Sequence, residues 1–236
     1  MKKVLTLSLL AVAITSASVS ATTINIRHEW KPEFGDNAAG NADRIAVSHR
    51  FASGVGFEVE GKWKSNNDDA YSDFSGNGQQ ANISYQWKMS DAFSLTPQFK
   101  LESNDKKTGY QGNLTLGYKA SDSISTSIRY RYHYDNVASS QDSSHYNRIT
   151  LAASYSGLTD YKFGFSTDYT IKQEGAEVWD GNKEGISEIN LTGEYKGFGG
   201  GWAPFIEIGV TPSAKYNGDD MDSWRPRYRV GMKYSY

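Results

Sequence analysis

The sequence predicts an all-β protein, a closed antiparallel barrel of twelve transmembrane strands. Three observations predict it: an aromatic-rich yet polar composition, apolar residues recurring at period two along almost the whole chain, and connections that alternate between short and long. Sixteen Tyr, ten Phe and six Trp stand beside 23 Gly among 236 residues, a recipe for many strands and turns rather than for a helical bundle. With no cysteine in the chain, neither disulfides nor thiolate metal sites are available.

Residues 1–21 read as a separate object, a secretory signal. Lys2 and Lys3 supply a positive start, Val4 to Ile14 an apolar run, and Val19-Ser20-Ala21 a small-residue cleavage site. That run is shorter than the roughly 17 to 25 residues a membrane-crossing helix needs, so the mature barrel is expected over residues 22–236. The formal charge of −2 becomes −4 once Lys2 and Lys3 are gone, which argues against nucleic acid as a partner.

Period-two alternation then repeats twelve times. The expected strands are Thr23 to Trp30, Arg44 to Phe51, Val55 to Lys64, Gln80 to Lys88, Phe93 to Glu102 and Gly109 to Tyr118. Ile124 to Tyr134, Tyr146 to Tyr155, Tyr161 to Gln173, Glu188 to Tyr195, Trp202 to Thr211 and Arg225 to Tyr236 complete the set. One face carries Ile24, Ile26, Ile45, Val47, Phe57, Val59, Ile83, Phe99 and Leu101, on to Tyr228, Val230, Met232 and Tyr234, and it includes no Asp, Glu, Lys or Arg. The other carries Asn25, Arg27, Glu29, Arg44, Ser48, Arg50, Glu58, Glu60, Arg129, Arg131 and His133.

A soluble sandwich or lectin shares that alternation, and two features argue against it. The connections Ala52 to Gly54, Met89 to Ala92, Lys119 to Ser123, Ser156 to Asp160 and Lys196 to Gly201 are short, whereas those between them run up to Ser65 to Gly78, the asymmetry of outer-membrane barrels. Apolar strand ends are dense in Trp and Tyr, among them Trp30, Trp63, Trp87, Tyr134, Tyr155 and Tyr195, as interfacial girdles require. An even strand count puts both termini on the periplasmic side and lets the sheet close without an edge.

All nine arginines, Arg27, Arg44, Arg50, Arg129, Arg131, Arg148, Arg225, Arg227 and Arg229, fall in the inward frame. Lys62, Lys64, Lys88, Lys100, Lys119, Lys162, Lys172 and Lys233 join them, giving 17 basic groups against eight acids: Glu29, Glu58, Glu60, Glu102, Asp168, Glu188, Glu194 and Glu207. A net-acidic chain is thus expected to enclose a basic lumen. Six arginines lie on the first, second and last strands and three on the seventh and eighth, so closure sets two basic walls across the pore. Twelve strands leave a narrow channel, and planar guanidinium forks suit weak, exchangeable carboxylate binding. Ion pairing across the lumen, such as Glu29 with Arg27 or Arg50, accounts for some of these charges but not for the basic excess.

Several short motifs resemble the oligogalacturonate-specific porin family. They are Arg27-His28-Glu29-Trp30, Asp43-Arg44-Ile45-Ala46-Val47-Ser48-His49-Arg50-Phe51, Gly54-Val55-Gly56-Phe57-Glu58-Val59-Glu60 and Tyr228-Arg229-Val230-Gly231-Met232-Lys233-Tyr234. The resemblance implies a narrow, monomeric outer-membrane channel of a Gram-negative bacterium. It implies passage of acidic oligosaccharides from pectin, with relatives passing sialic acid, and two arginine tracks facing across the pore. It extends a substrate-binding, pore-lining role to the nine arginines and, less sharply, to Lys62, Lys100 and Lys233.

Other chemistry is weaker. The spacing of His28, His49, His133 and His145 fits no metal motif, and an interfacial or loop role is expected for them. Glu58 and Glu60 resemble a glycosidase pair only until Lys62 and Lys64 are seen on the same face. No serine has the setting of a nucleophile, so no catalytic residue, metal or cofactor is assigned. The acidic stretches Asn66 to Asp69, Asp180 to Glu184 and Asn217 to Asp222 read as solvated loop tips rather than calcium sites. The favoured function is an outer-membrane porin for oligogalacturonates, in contact with membrane lipid. A sialic-acid or general anion-selective porin, and a structural or adhesive barrel, stay open.

Overall fold

In the computed structural model, residues 22–65, 75–137, 143–172, 178–179, 181–214 and 222–236 are described. The expected signal, Asn66 to Asp69, Gln173, Asp180 and most of Asn217 to Asp222 lie outside the described residues. The strands are β1 (Thr22–Lys31), β2 (Gly40–Arg50), β3 (Val55–Ser65), β4 (Ser75–Tyr85), β5 (Trp87–Lys88), β6 (Phe93–Ser103) and β7 (Lys107–Lys119). They continue with β8 (Ile124–Val137), β9 (Ser144–Tyr155), β10 (Tyr161–Lys172), β11 (Glu184–Tyr195), β12 (Trp202–Ser213) and β13 (Ser223–Ser235). Every neighbour is antiparallel, and the ring closes where β1 pairs with β13.

Strands β4 and β5 are one stave in a single register against β6, interrupted at Gln86. The register that pairs Ser84 with Gln98 and Trp87 with Leu95 sets Tyr85 opposite Pro97, which has no N–H to give to the ladder. The barrel therefore has twelve staves, as expected. Thr22 and Tyr236 exchange backbone hydrogen bonds of 3.1 Å, so the chain's two strand ends zip together at one rim.

The sheet is inverted relative to a soluble protein. Buried hydrophobic residues among those described are only Ala46, Val178 and Phe205, whereas Leu191 is 60% exposed and Ile83 and Ile206 are 57% exposed. An apolar belt of that extent is tolerable against lipid and not against water. Aromatic pairs edge it: Trp30 stacks on Tyr228 at 5.5 Å towards one rim, and Trp202 meets Tyr234 at 4.6 Å and Phe93 meets Tyr118 at 4.8 Å towards the other. Connections at the second rim are four to six residues long, such as 51–54 and 196–201, and those at the first run from three (104–106) to eleven (173–183). By the barrel rule the rim whose connections are all short is periplasmic, the three-residue 104–106 turn being an exception at the external rim. Gly201 shows why the turns need glycine: φ is +81° and a Cβ would sit 2.1 Å from the Ser235 carbonyl oxygen.

Two expectations shift. Strands continue past their expected external ends, β2 beginning at Gly40 and β8 reaching Val137, because backbone pairing persists after hydrophobic alternation fades above the lipid. The longer β2 brings Asp43 into the outward frame, so that face is not free of charge. Asp43 is opposite His28, whose Nδ1 lies 2.9 Å from its carboxylate, close to the external rim.

Candidate functional site: the charged lumen

Alternation sends all nine arginines inward, but hydrogen bonding divides them into three groups. The first is structural. Arg227, 4% exposed, donates twice to Glu188 (2.7 and 3.1 Å) and to Asn190, while Arg229 bridges Glu29 at 2.6 Å and Glu207. Register makes these pairs: Glu29 and Glu207 both sit directly opposite Arg229. Glu29 is thereby held by Arg229 and not by Arg27 or Arg50, since Arg27 faces Gly231 and Arg44 across its own ladders. Arg44 donates to Glu60 at 2.9 Å and Arg148 to Asp168 at 3.2 Å.

The second group holds the rims. Arg225 donates to the carbonyl oxygens of Pro32 at 2.9 Å and Ala38 at 2.6 Å, tying down the first external connection. Arg50 donates to the Gly54 carbonyl at 2.7 Å and to Ser84 at 3.1 Å beside a periplasmic turn.

The third group has no carboxylate partner among the described residues. Arg129 donates to the Thr150 hydroxyl at 3.0 Å and Arg131 to the Asn113 side chain at 2.8 Å. Arg27 makes no hydrogen bond or ion pair among the described residues. Arg27 lies on the first stave, and Arg129 and Arg131 on β8, the seventh of twelve, so they stand on opposite walls. The lysines are more committed: Lys62 lies 3.7 Å from Glu60 and 4.0 Å from Glu102, Lys100 lies 3.4 Å from Glu102, and Lys233 pairs with Glu194.

Between the walls runs a belt of amides. Arg131 donates to Asn113, Asn113 to Gln98 (3.1 Å), Gln98 to Asn82 (3.0 Å) and Asn82 to Glu58 (3.2 Å). Every link points the same way, from a guanidinium to a carboxylate, so the dipoles reinforce one another and fix each amide's orientation. Glu58 has no ion-pair partner within reach among the described residues, and Glu60 is committed to Arg44 and Lys62, which removes the appearance of a glycosidase pair. At the periplasmic end, Ser94, Ser127, Lys88 and Lys119 line a recess of about 640 Å³. In the adjoining turn, Lys119 donates to Asp122 at 2.6 Å, and that hydrogen bond and charge hold the Asp122 carboxyl below its ordinary value.

The sequence reading missed several inward groups. Asp135 and Lys107, joined at 2.6 Å, lie where the strands run on past their expected ends, and Lys31 follows Glu29 in phase. His133, already in the inward frame of its strand by alternation, is 2% exposed in the lumen wall and does not take the interfacial or loop role expected of the histidines. Phe205, inward in phase with Glu207, is seated over Gly231, where a Cβ would lie 2.5 Å from its ring; only the register with β13 reveals that seat.

A closed barrel with an apolar outer belt and a charged, hydrogen-bonded bore is an outer-membrane channel. Its family follows from comparison: the chain matches the model for "Oligogalacturonate-specific porin protein (KdgM)" over residues 15–236, and it belongs to that family. The oligogalacturonate-specific porin KdgM of Dickeya dadantii is 29% identical over 99% of this chain and 100% of its own length. An uncharacterized protein, YiiY, of Salmonella typhimurium is 32% identical over 97% of this chain and 95% of its own length. Among solved structures, KdgM in complex with disordered oligogalacturonate superposes with a TM-score of 0.67 at 27% identity, covering 91% of this chain and 99% of that one. The NanC porin shares the fold with a TM-score of 0.72 at 18% identity, over 89% and 98%.

Proposed function

We propose that this porin passes acidic oligosaccharides by passive diffusion, with short galacturonate oligomers as its substrates. One observation carries the reading: Arg27 on one wall and Arg129 and Arg131 on the other have no carboxylate partner among the described residues, while the other wall arginines are spent on lumen acids or rim carbonyls. A sugar carboxylate meets guanidinium groups that no carboxylate among the described residues pairs directly, and handing it from one fork to the next keeps each site weak enough to leave. The relative named for oligogalacturonate supports the substrate class. Asn82 and Gln98, only half-buried, offer amides to sugar hydroxyls beside the track, and the serine-lined recess offers hydroxyls at the exit.

The channel works as a monomer surrounded by outer-membrane lipid, with no catalytic group and no resident metal required for transport. Residues 1–21 are removed on export, so the intact mass of outer-membrane protein should correspond to a chain starting at Thr22.

Uptake by proteoliposomes tests the function. Galacturonate trimer should enter several-fold faster than a neutral trisaccharide of similar size, with sialic acid as a third arm. Equal rates for all three would reduce the protein to a general pore, and faster sialic acid uptake would move the substrate assignment.

A further inference from the structure

We propose that Glu102, His133 and Asp135 form a binding site for a divalent transition-metal ion, of which Zn²⁺ is the natural probe, at the external mouth of the barrel. The site is separate from the sugar track and independent of which sugar the channel prefers. Glu102 on β6 and Asp135 on β8 both lie opposite Gly109 of β7, and His133 is two residues before Asp135 on the same face. One donor atom from each of the three lies within 4.8 Å of the other two. His133 and Asp135 are 2% and 5% exposed, so the donors are held in place.

Gly109 makes the room. A Cβ there would sit 3.0 Å from Asp135 Oδ1, 3.0 Å from Glu102 Cγ and 3.2 Å from His133 Nε2, at the point where the donors converge. Lys107 holds Asp135 Oδ2, the oxygen not facing His133, at 2.6 Å, and Lys100 lies 3.4 Å from Glu102 Oε2. The near oxygen of Asp135 faces His133 Nε2 at 2.8 Å, an atom pair that an ion can bridge in place of a proton. On the ring's other side, Nδ1 lies 3.1 Å from the Tyr146 hydroxyl, with the two rings stacked at 4.5 Å. That contact gives Nδ1–H an acceptor once Nε2 binds metal, the outer-shell support that a ligating histidine needs.

One imidazole nitrogen with two carboxylate oxygens suits Zn²⁺, Co²⁺ or Ni²⁺ rather than Ca²⁺ or Mg²⁺, which favour oxygen alone. Three protein donors leave a fourth position to water from the lumen. The neighbouring lysines weaken the site, and a proton competes for Nε2, so affinity should fall as pH falls. His133 is two residues from Arg131 on the same face, so a bound ion adds positive charge beside the anion track.

The test is Co²⁺ titration of tag-free, detergent-solubilised protein followed by visible absorption, with Zn²⁺ then added as competitor. Folding of each variant is verified by heat-modifiable gel mobility. Wild type should take up one equivalent, with cobalt d–d bands erased by Zn²⁺ and unaffected by excess Mg²⁺. His133→Gln and Gly109→Ala should each weaken binding at least tenfold, and His145→Gln should leave it unchanged. Absence of one-equivalent binding by folded wild type would overturn the proposal, as would equal binding by folded Gly109→Ala or His133→Gln. If His133→Gln does not fold, Gly109→Ala, which keeps all three donors, decides the matter.

Discussion

At the scale of single residues, the same arginine side chain serves as brace or as bait according to what lies across its ladder. Arg227 fixes Glu188 and Asn190 from a nearly inaccessible position, so Arg227→Ala strands a carboxylate and should cost about 2–4 kcal/mol in unfolding free energy, measurable by urea titration in detergent. Among the described residues Arg129 donates only to a hydroxyl, so Arg129→Ala should cost less than about 1 kcal/mol in the same titration and act on ion selectivity instead. Glu58 is the counterpart among the acids. Because it ends the amide belt with no ion-pair partner among the described residues, Glu58→Gln should make the pore more anion-selective, seen as a shifted reversal potential, and should leave the gel mobility of the folded barrel unchanged.

At the scale of elements, the strand pattern was legible because period-two alternation is strict where lipid lies on one side and water on the other. Twelve staves, their order and the inward frame of all nine arginines could be read directly from residues such as Ile24, Arg27, Val230 and Arg229. Register was not legible, and it decides partners: nothing local tells that Glu29 meets Arg229 across a distance of 200 residues, or that Glu102 and His133 converge over Gly109. The external strand ends were also illegible, since apolar alternation stops before pairing does, which hid Asp135, Lys107 and the outward Asp43. The amide belt is likewise a cross-strand object, built from one residue on each of β3, β4, β6, β7 and β8. Replacing its centre, Gln98→Leu, leaves Asn113 without its acceptor and Asn82 without its donor. This should lower stability by about 1–3 kcal/mol in the same unfolding titration.

At the scale of the molecule, the barrel is an inverted protein whose apolar surface faces out and whose specificity lies inside. Leu191→Arg, placed midway along β11 on the lipid face, should cost about 2–4 kcal/mol in lipid vesicles, whereas Asn190→Ser on the adjoining inward position should cost less. Arginines without a carboxylate partner among the described residues, on two facing walls, set the preference for anions. The most direct measurement of that role is the reversal potential of single channels in a planar bilayer under a tenfold KCl gradient, compared between wild type and Arg27→Ser combined with Arg129→Ser. Wild type should be anion-selective, and the double variant should show a clear fall towards zero potential. A cation-selective wild type, or an unchanged potential in the variant, would contradict that role.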